Sequence, residues 1–164
     1  MNTISNNSSK QSTWQTAIIL TLGFWISATM ILDWVIMPSL YFAGMMSTAS
    51  FSSAGYVIFG NINHLELLAA AIVLTAVLAI SKIKSNWHFS TIILALLLLT
   101  VAILDTYLLT PKMCAMGSNF TLYGAGGVPE QMGILHSTYF VLEALKVLVS
   151  GFLLNWAWKQ PVCE

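Results

Sequence analysis

The run Ile92–Leu104 contains no charged residue and lies inside an apolar segment, Trp87–Leu109, that is bounded on both sides by polar sequence. A water-exposed helix needs a polar face, and this one has none. Its length matches the hydrocarbon core of a bilayer, about 30 Å at 1.5 Å per residue. Three further segments have the same character: Trp14–Met37, Ile58–Ile80 and Ile134–Trp158. The first has 24 residues and reaches about 36 Å as a helix. A cleaved signal peptide would have a shorter apolar region ending in small residues. Here the segment ends in Asp33-Trp34-Val35-Ile36-Met37-Pro38 instead. Pro38 and Pro111 stand just past the first and third segments, where proline can end a helix.

Composition supports the same solvent. The chain has 164 residues, of which 57% are hydrophobic and 7% charged, with a mean hydropathy of +0.80. A soluble domain carries about 25% charged residues. The expected fold is therefore an all-α integral membrane protein, a four-helix transmembrane bundle over residues 14–158. Residues 1–13 are rich in Ser and Asn and read as a flexible polar tail. Residues 159–164 form a short C-terminal tail. Six Lys balance six acids, and Arg is absent, so there is no basic footprint for nucleic acid.

Lysine placement sets the expected orientation. With four spans, Lys10, Lys82, Lys84 and Lys159 fall on one face, and Lys112 falls on the other with Glu130. The positive-inside bias then puts both termini in the cytoplasm. Trp14, Trp87, Trp156 and Trp158 would form an inner aromatic belt, and Trp34, Tyr41 and Tyr107 an outer one. The outer loops, 38–57 and 110–133, are long. The second contains Gly124-Ala125-Gly126-Gly127, which should turn tightly or flex. Cys114 and Cys163 lie on opposite sides in this topology and form no disulfide framework.

The two halves of the chain share a short pattern. Ile31-Leu32-Asp33 precedes Pro38, and Ile103-Leu104-Asp105 precedes Pro111. Each is followed by an outer loop and a span with a His near its outer end, His64 or His136, and a Glu further in, Glu66 or Glu143. Two tandem helical hairpins in the same orientation would give this arrangement. Chance recurrence in a low-complexity apolar chain would give it too.

Five charged residues fall inside the spans: Asp33, Glu66, Asp105, Glu143 and Lys146. Each costs about 2.5–3.5 kcal/mol at a span centre. Glu143 and Lys146 are three apart and form an expected intramembrane ion pair facing the bundle. An ion or proton relay is the functional alternative. The inner half offers few polar groups for one, which argues against transport.

Asp33, His64, Asp105 and His136 should share one depth near the outer surface. They could bind a metal such as copper or zinc. Alternatively, His64 and His136 could ligate haem iron or chlorophyll magnesium. A third reading is a pair of Asp–His hydrogen bonds that hold the hairpins together. His64 and Glu66 are roughly 200° apart around a helix and cannot both face one ligand. Of eight Met, six (Met37, Met45, Met46, Met113, Met116 and Met132) lie at or beyond the outer span ends, near Cys114. Such soft ligands suit Cu(I), while Met is also a flexible apolar filler.

Several short stretches carry a family likeness. Leu22-Gly23-Phe24-Trp25, Met37-Pro38-Ser39-Leu40-Tyr41-Phe42, Ala54-Gly55 with Phe59, and Leu135-His136-Ser137 resemble the small four-span domain of unknown function numbered 4149. That group is similar to transmembrane protein 205 and, more distantly, to copper-resistance D-type membrane proteins. The resemblance covers about residues 15–158. Met132 departs from it, since relatives often have Phe there. The wording looks most like cyanobacterial members. This implies a thylakoid or plasma membrane and an accessory role in the biogenesis of photosynthetic complexes.

No Gly-x-Ser-x-Gly, phosphate loop, His-Glu-x-x-His or Cys-x-x-Cys motif occurs. The expectation is a non-enzymatic accessory protein whose partners are the lipid bilayer and other membrane proteins. The alternatives are a cofactor- or metal-binding protein using His64 and His136, and a copper transporter using Met45, Met46 and Cys114.

Overall fold

The computed structural model describes residues 2–45, 51–84, 89–123 and 130–160, and every element among them is helical. The chain forms α1 (Asn2–Ile31), a π turn π1 (Leu32–Ile36), α2 (Met37–Phe42), α3 (Phe51–Lys84), α4 (Phe89–Leu104), a second π turn π2 (Asp105–Leu109), α5 (Thr110–Tyr123) and α6 (Glu130–Trp158). Four stretches are long and apolar enough to cross a membrane: Ser9–Leu40, Ala54–Ile83, Phe89–Met116 and Gly133–Trp158. Gly124–Gly127, Met46, Trp87 and Cys163 lie outside the described residues.

The prolines do not end their helices. Met37 N–H donates to Leu32 O, and Thr110 N–H donates to Asp105 O, each five residues back. Proline lacks an N–H, and its ring would strike the carbonyl four residues before it. A wider turn ahead of the ring absorbs that clash, and the helix resumes. The first helical path then stops at Gly44, whose φ of 69° is the left-handed value that suits glycine past a helix C-terminus. Ala43 N–H closes the last turn on Ser39 O at 3.0 Å. The second path continues through α5 to Tyr123, inside the segment read as an outer loop.

The N-terminal segment also differs from the sequence reading. Residues 2–13, expected to be a flexible tail, belong to α1. Ser and Asn are poor helix formers in isolation. Here Thr13 and Thr16 hydroxyls bond back to Ser9 O and Ser12 O, at 3.0 and 2.9 Å. Gln11 is buried at 3% exposure.

The helices close a ring in which α1 packs on α3 and α6, and α4 packs on the same two. Consequently α1 faces α4, and α3 faces α6, across the bundle. Each inward stripe repeats every three or four residues: Gln15, Ile18, Leu22, Trp25 and Thr29 on α1, for example, and Glu143, Lys146, Val149, Leu153 and Ala157 on α6. The end that carries Gln15, Ile80 and Ala157 (the terminal end) is filled by a core that includes Ile18, Leu22, Trp25, Val73, Leu98 and Leu153. Small side chains at Ala69, Ala70, Ala76, Ala95 and Ala102 let the backbones approach. Gln15 Nε2 latches that end by donating to Ala157 O at 2.8 Å and Gln160 O at 3.2 Å. The outside is apolar as well, with Leu20, Phe24, Ile93, Val141, Leu148 and Phe152 all more than half exposed.

Candidate functional site

The charged residues meet at one point inside this bundle. Lys146 on α6 is 2% exposed. It lies 13 residues from Gly133 and 12 from Trp158, the ends of the apolar stretch of α6, so about 20 and 18 Å from the two ends. Its ammonium donates to Glu66 Oε2 at 2.5 Å and to Glu143 Oε1 at 2.7 Å. Asp105 Oδ2 stands 3.0 Å from the same nitrogen. That contact is a third ion pair to the same ammonium. Glu66, Asp105 and Glu143 are all at most 5% exposed. One ammonium therefore sits among three carboxyl groups contributed by α3, π2 and α6.

Local structure explains why these residues converge. Tyr139, Glu143 and Lys146 lie on the stripe that continues into Val149 and Leu153, so the helical period turns all of them inward. Asn63 and Glu66 lead into the Ala70 and Val73 stripe in the same way. Asp105 opens π2 and lines up with Leu98 and Ala102. Thr29 on α1 donates to Glu66 Oε1 at 3.1 Å, which holds that carboxyl against the lysine.

Toward the far end a polar layer continues. Asn63 Nδ2 donates to Thr110 Oγ1 at 2.6 Å, and the Thr106 hydroxyl reaches Ala102 O at 2.7 Å and Asn63 O at 3.3 Å. The Tyr139 ring is 6.0 Å from Lys146 Nζ, which adds cation–π attraction. Its edge meets Phe59 of α3, at 5.9 Å between centroids. Asp33 lies one turn beyond Thr29 on π1, half-buried, and interacts electrostatically with Lys146 and Glu66.

Asp33, His64, Asp105 and His136 do not assemble as one ligand set. Asp105 faces Lys146. His64 is exposed on the outer surface of α3, where its Nδ1 is 2.6 Å from Gly60 O and its ring meets the Tyr107 edge at 6.2 Å. The cause is helical geometry: Asn63 and Glu66 take the inward positions, so His64 must point out. His136 is half-buried on α6. Among the described residues no three His, Cys, Asp or Glu side chains are arranged to hold a metal ion. Met45 is exposed, and Met37, Met113, Met116 and Cys114 are partly exposed along the far end.

Outside the bundle, α6 carries a shallow groove of about 480 Å³ lined by Gly133, Ile134, Ser137, Thr138, Val141 and Leu142. It lies on the face of α6 that the other helices leave uncovered. In comparisons with protein-family models, with curated proteins and with solved structures, nothing matches this chain.

Proposed function

We propose that this chain is a four-span integral membrane protein, with both termini in the cytoplasm, that acts as a non-enzymatic accessory subunit packing against other membrane proteins. The observation that carries the reading is the groove on the outer face of α6, where Gly133, Ser137 and Thr138 leave room beside Val141 and Leu142. In lipid, helices associate by close packing at small residues and by side-chain hydrogen bonds rather than by hydrophobic transfer. Exposed Lys10, Lys82 and Lys159 at the terminal end, against Lys112 at the other, favour the proposed orientation. The resemblance to the domain numbered 4149 suggests a photosynthetic assembly in a cyanobacterial thylakoid or plasma membrane as the partner. A photo-crosslinking residue at Ser137 should capture a membrane protein in the native membrane, while one at Leu68, exposed on α3 across the bundle, should not. Equal capture at both positions, or at neither, would refute the reading.

A second reading has its own observation. When His64 Nδ1–H donates to Gly60 O, the lone pair of Nε2 is left free on the exposed face of α3. A Cβ at Gly60 would meet nothing within 4 Å, so a flat ring could approach there. This favours His64 as an axial ligand for haem or chlorophyll held at the lipid face. Protein purified from the native membrane should then show a visible absorption band that His64→Ala abolishes, and a colourless native protein would exclude this reading.

A further inference from the structure

The Lys146 cluster is short of positive charge. Fully ionised, Glu66, Asp105 and Glu143 against Lys146 give −3 + 1 = −2, with Asp33 adding a further negative charge nearby. Buried charge of this kind has to be balanced locally, because desolvation outweighs the attraction of an incomplete set. The hydrogen-bond pattern points the same way. The buried side-chain atoms in this layer that take neither a hydrogen bond nor the ammonium are Asn63 Oδ1, Asp105 Oδ1 and Glu143 Oε2, and all are acceptors. No side-chain donor is orphaned there. The charge balance calls for hydrogen on oxygen, or for another cation.

A metal ion does not fit among these carboxyls. The ammonium already occupies the point where the three carboxyls converge, and no three-ligand group exists among the described residues. Protons need no such room. They convert a carboxylate into a carboxylic acid with no other change in the site, so the balance is one proton bound per negative charge removed. Asp105, 0% exposed with Oδ1 unpartnered, and Asn63, 1% exposed with Oδ1 unpartnered, are the acceptors that such protons or an accompanying water would serve.

The buried polar groups next to the cluster lie mainly toward the far end. Below the cluster, Ile18, Leu22, Trp25, Val73, Leu98 and Leu153 close the bundle with apolar side chains. Above it stand Thr29, Asn63, Thr106, Thr110 and Tyr139, and half-buried Asp33 leads outward from Thr29. From Asp33 to Leu40 is seven residues, about 10 Å of helix.

We infer that the Lys146–Glu66–Asp105–Glu143 cluster is a proton-binding site that exchanges with the far face of the bundle, through Asp33, and not with the terminal face. Every element packed around it contributes a polar or charged group: Thr29 and Asp33 from the first helical path, Asn63 and Glu66 from α3, Asp105 from π2, and Tyr139, Glu143 and Lys146 from α6. It is a binding site closed at one end, so it supports sensing or gating by protons rather than their conduction across the bundle.

Infrared difference spectroscopy of the full chain in lipid nanodiscs tests this, with protons as the only ligand varied. At neutral pH the expected spectrum contains protonated-carboxyl bands that shift on deuteration. Glu143→Gln and Asp105→Asn, which each remove one excess acid, should each lose one of them while the protein remains folded. Asp33→Asn should keep those bands and slow their exchange with deuterium. Absence of protonated carboxyls at neutral pH, or bands unaltered by both single variants, would overturn the assignment. Loss of the bands on adding Na+, K+ or Ca2+ at fixed pH would overturn it in favour of a metal cation.

Discussion

Lys146→Met removes the ammonium and keeps most of the side-chain volume. In the native cluster Lys146 is 2% exposed and has carboxylate oxygens at 2.5, 2.7 and 3.0 Å. Removing one partner of a buried ion pair leaves the other uncompensated, at a cost of about 3–5 kcal/mol. With the excess acids carrying protons, the substitution strands one net negative charge, so that range applies. Trp25, 3% exposed in the core, offers a fluorescence probe of packing. Reversible unfolding by SDS in mixed micelles should show the loss directly. Lowering the pH supplies the missing positive charge as protons, so the deficit of Lys146→Met should shrink as the pH falls. Adding Glu66→Gln and Glu143→Gln to that variant should recover stability, because fewer stranded charges remain. A loss below about 1 kcal/mol, the scale of an exposed pair, or no recovery in the triple variant, would refute the view that this cluster locks the bundle.

Other substitutions separate the layers. Thr29→Val leaves Glu66 Oε1 without its donor and should cost about 1.5–3 kcal/mol in the same unfolding assay, the range for hydrogen bonds to charged groups. Gln15→Ala opens the latch to Ala157 and Gln160 and should cost about 0.5–1.5 kcal/mol per bond, with faster amide exchange at the terminal end of α6. Leu153→Ala, at 0% exposure, should lose about 2–5 kcal/mol by cavity formation. Leu148→Ala, 63% exposed on the same helix, should stay within about 0.5 kcal/mol of the parent.

Much of the fold is legible in residue order because length and charge-free composition decide whether a segment can cross a bilayer. The proximity of Glu143 and Lys146 is legible too, since a spacing of three residues fixes it within one helix. What spacing cannot say is which helical faces meet. Glu66 and His64 are a clear case: their angular separation shows that only one can face inward, but the choice comes from Asn63, Ala70 and Val73 on the stripe of Glu66. Asp105 shares the depth of the histidines along the sequence, yet it turns to Lys146 on the neighbouring helix α6. The repeat also conceals an offset. Asp105 is the first residue of its π turn and Asp33 the second of its own. One residue of offset rotates a side chain by roughly 100°, which accounts for Asp105 being fully buried and Asp33 only half-buried. The π turns themselves are invisible to a reading in which proline marks a helix end. The helix over residues 2–13 runs against the low helix propensity of Ser and Asn, so composition hides it.

The central claim is that the four long helices cross a bilayer with the charge cluster enclosed between them. It is tested most directly by single-cysteine labelling from each side of the native membrane, with Cys114 and Cys163 replaced and cysteines introduced one at a time at Lys10, Lys82, Lys112 and Lys159. The account predicts that an impermeant reagent reaches Lys112→Cys from one side, and Lys10→Cys, Lys82→Cys and Lys159→Cys only from the other. Labelling of Lys10→Cys and Lys82→Cys from opposite sides would contradict it.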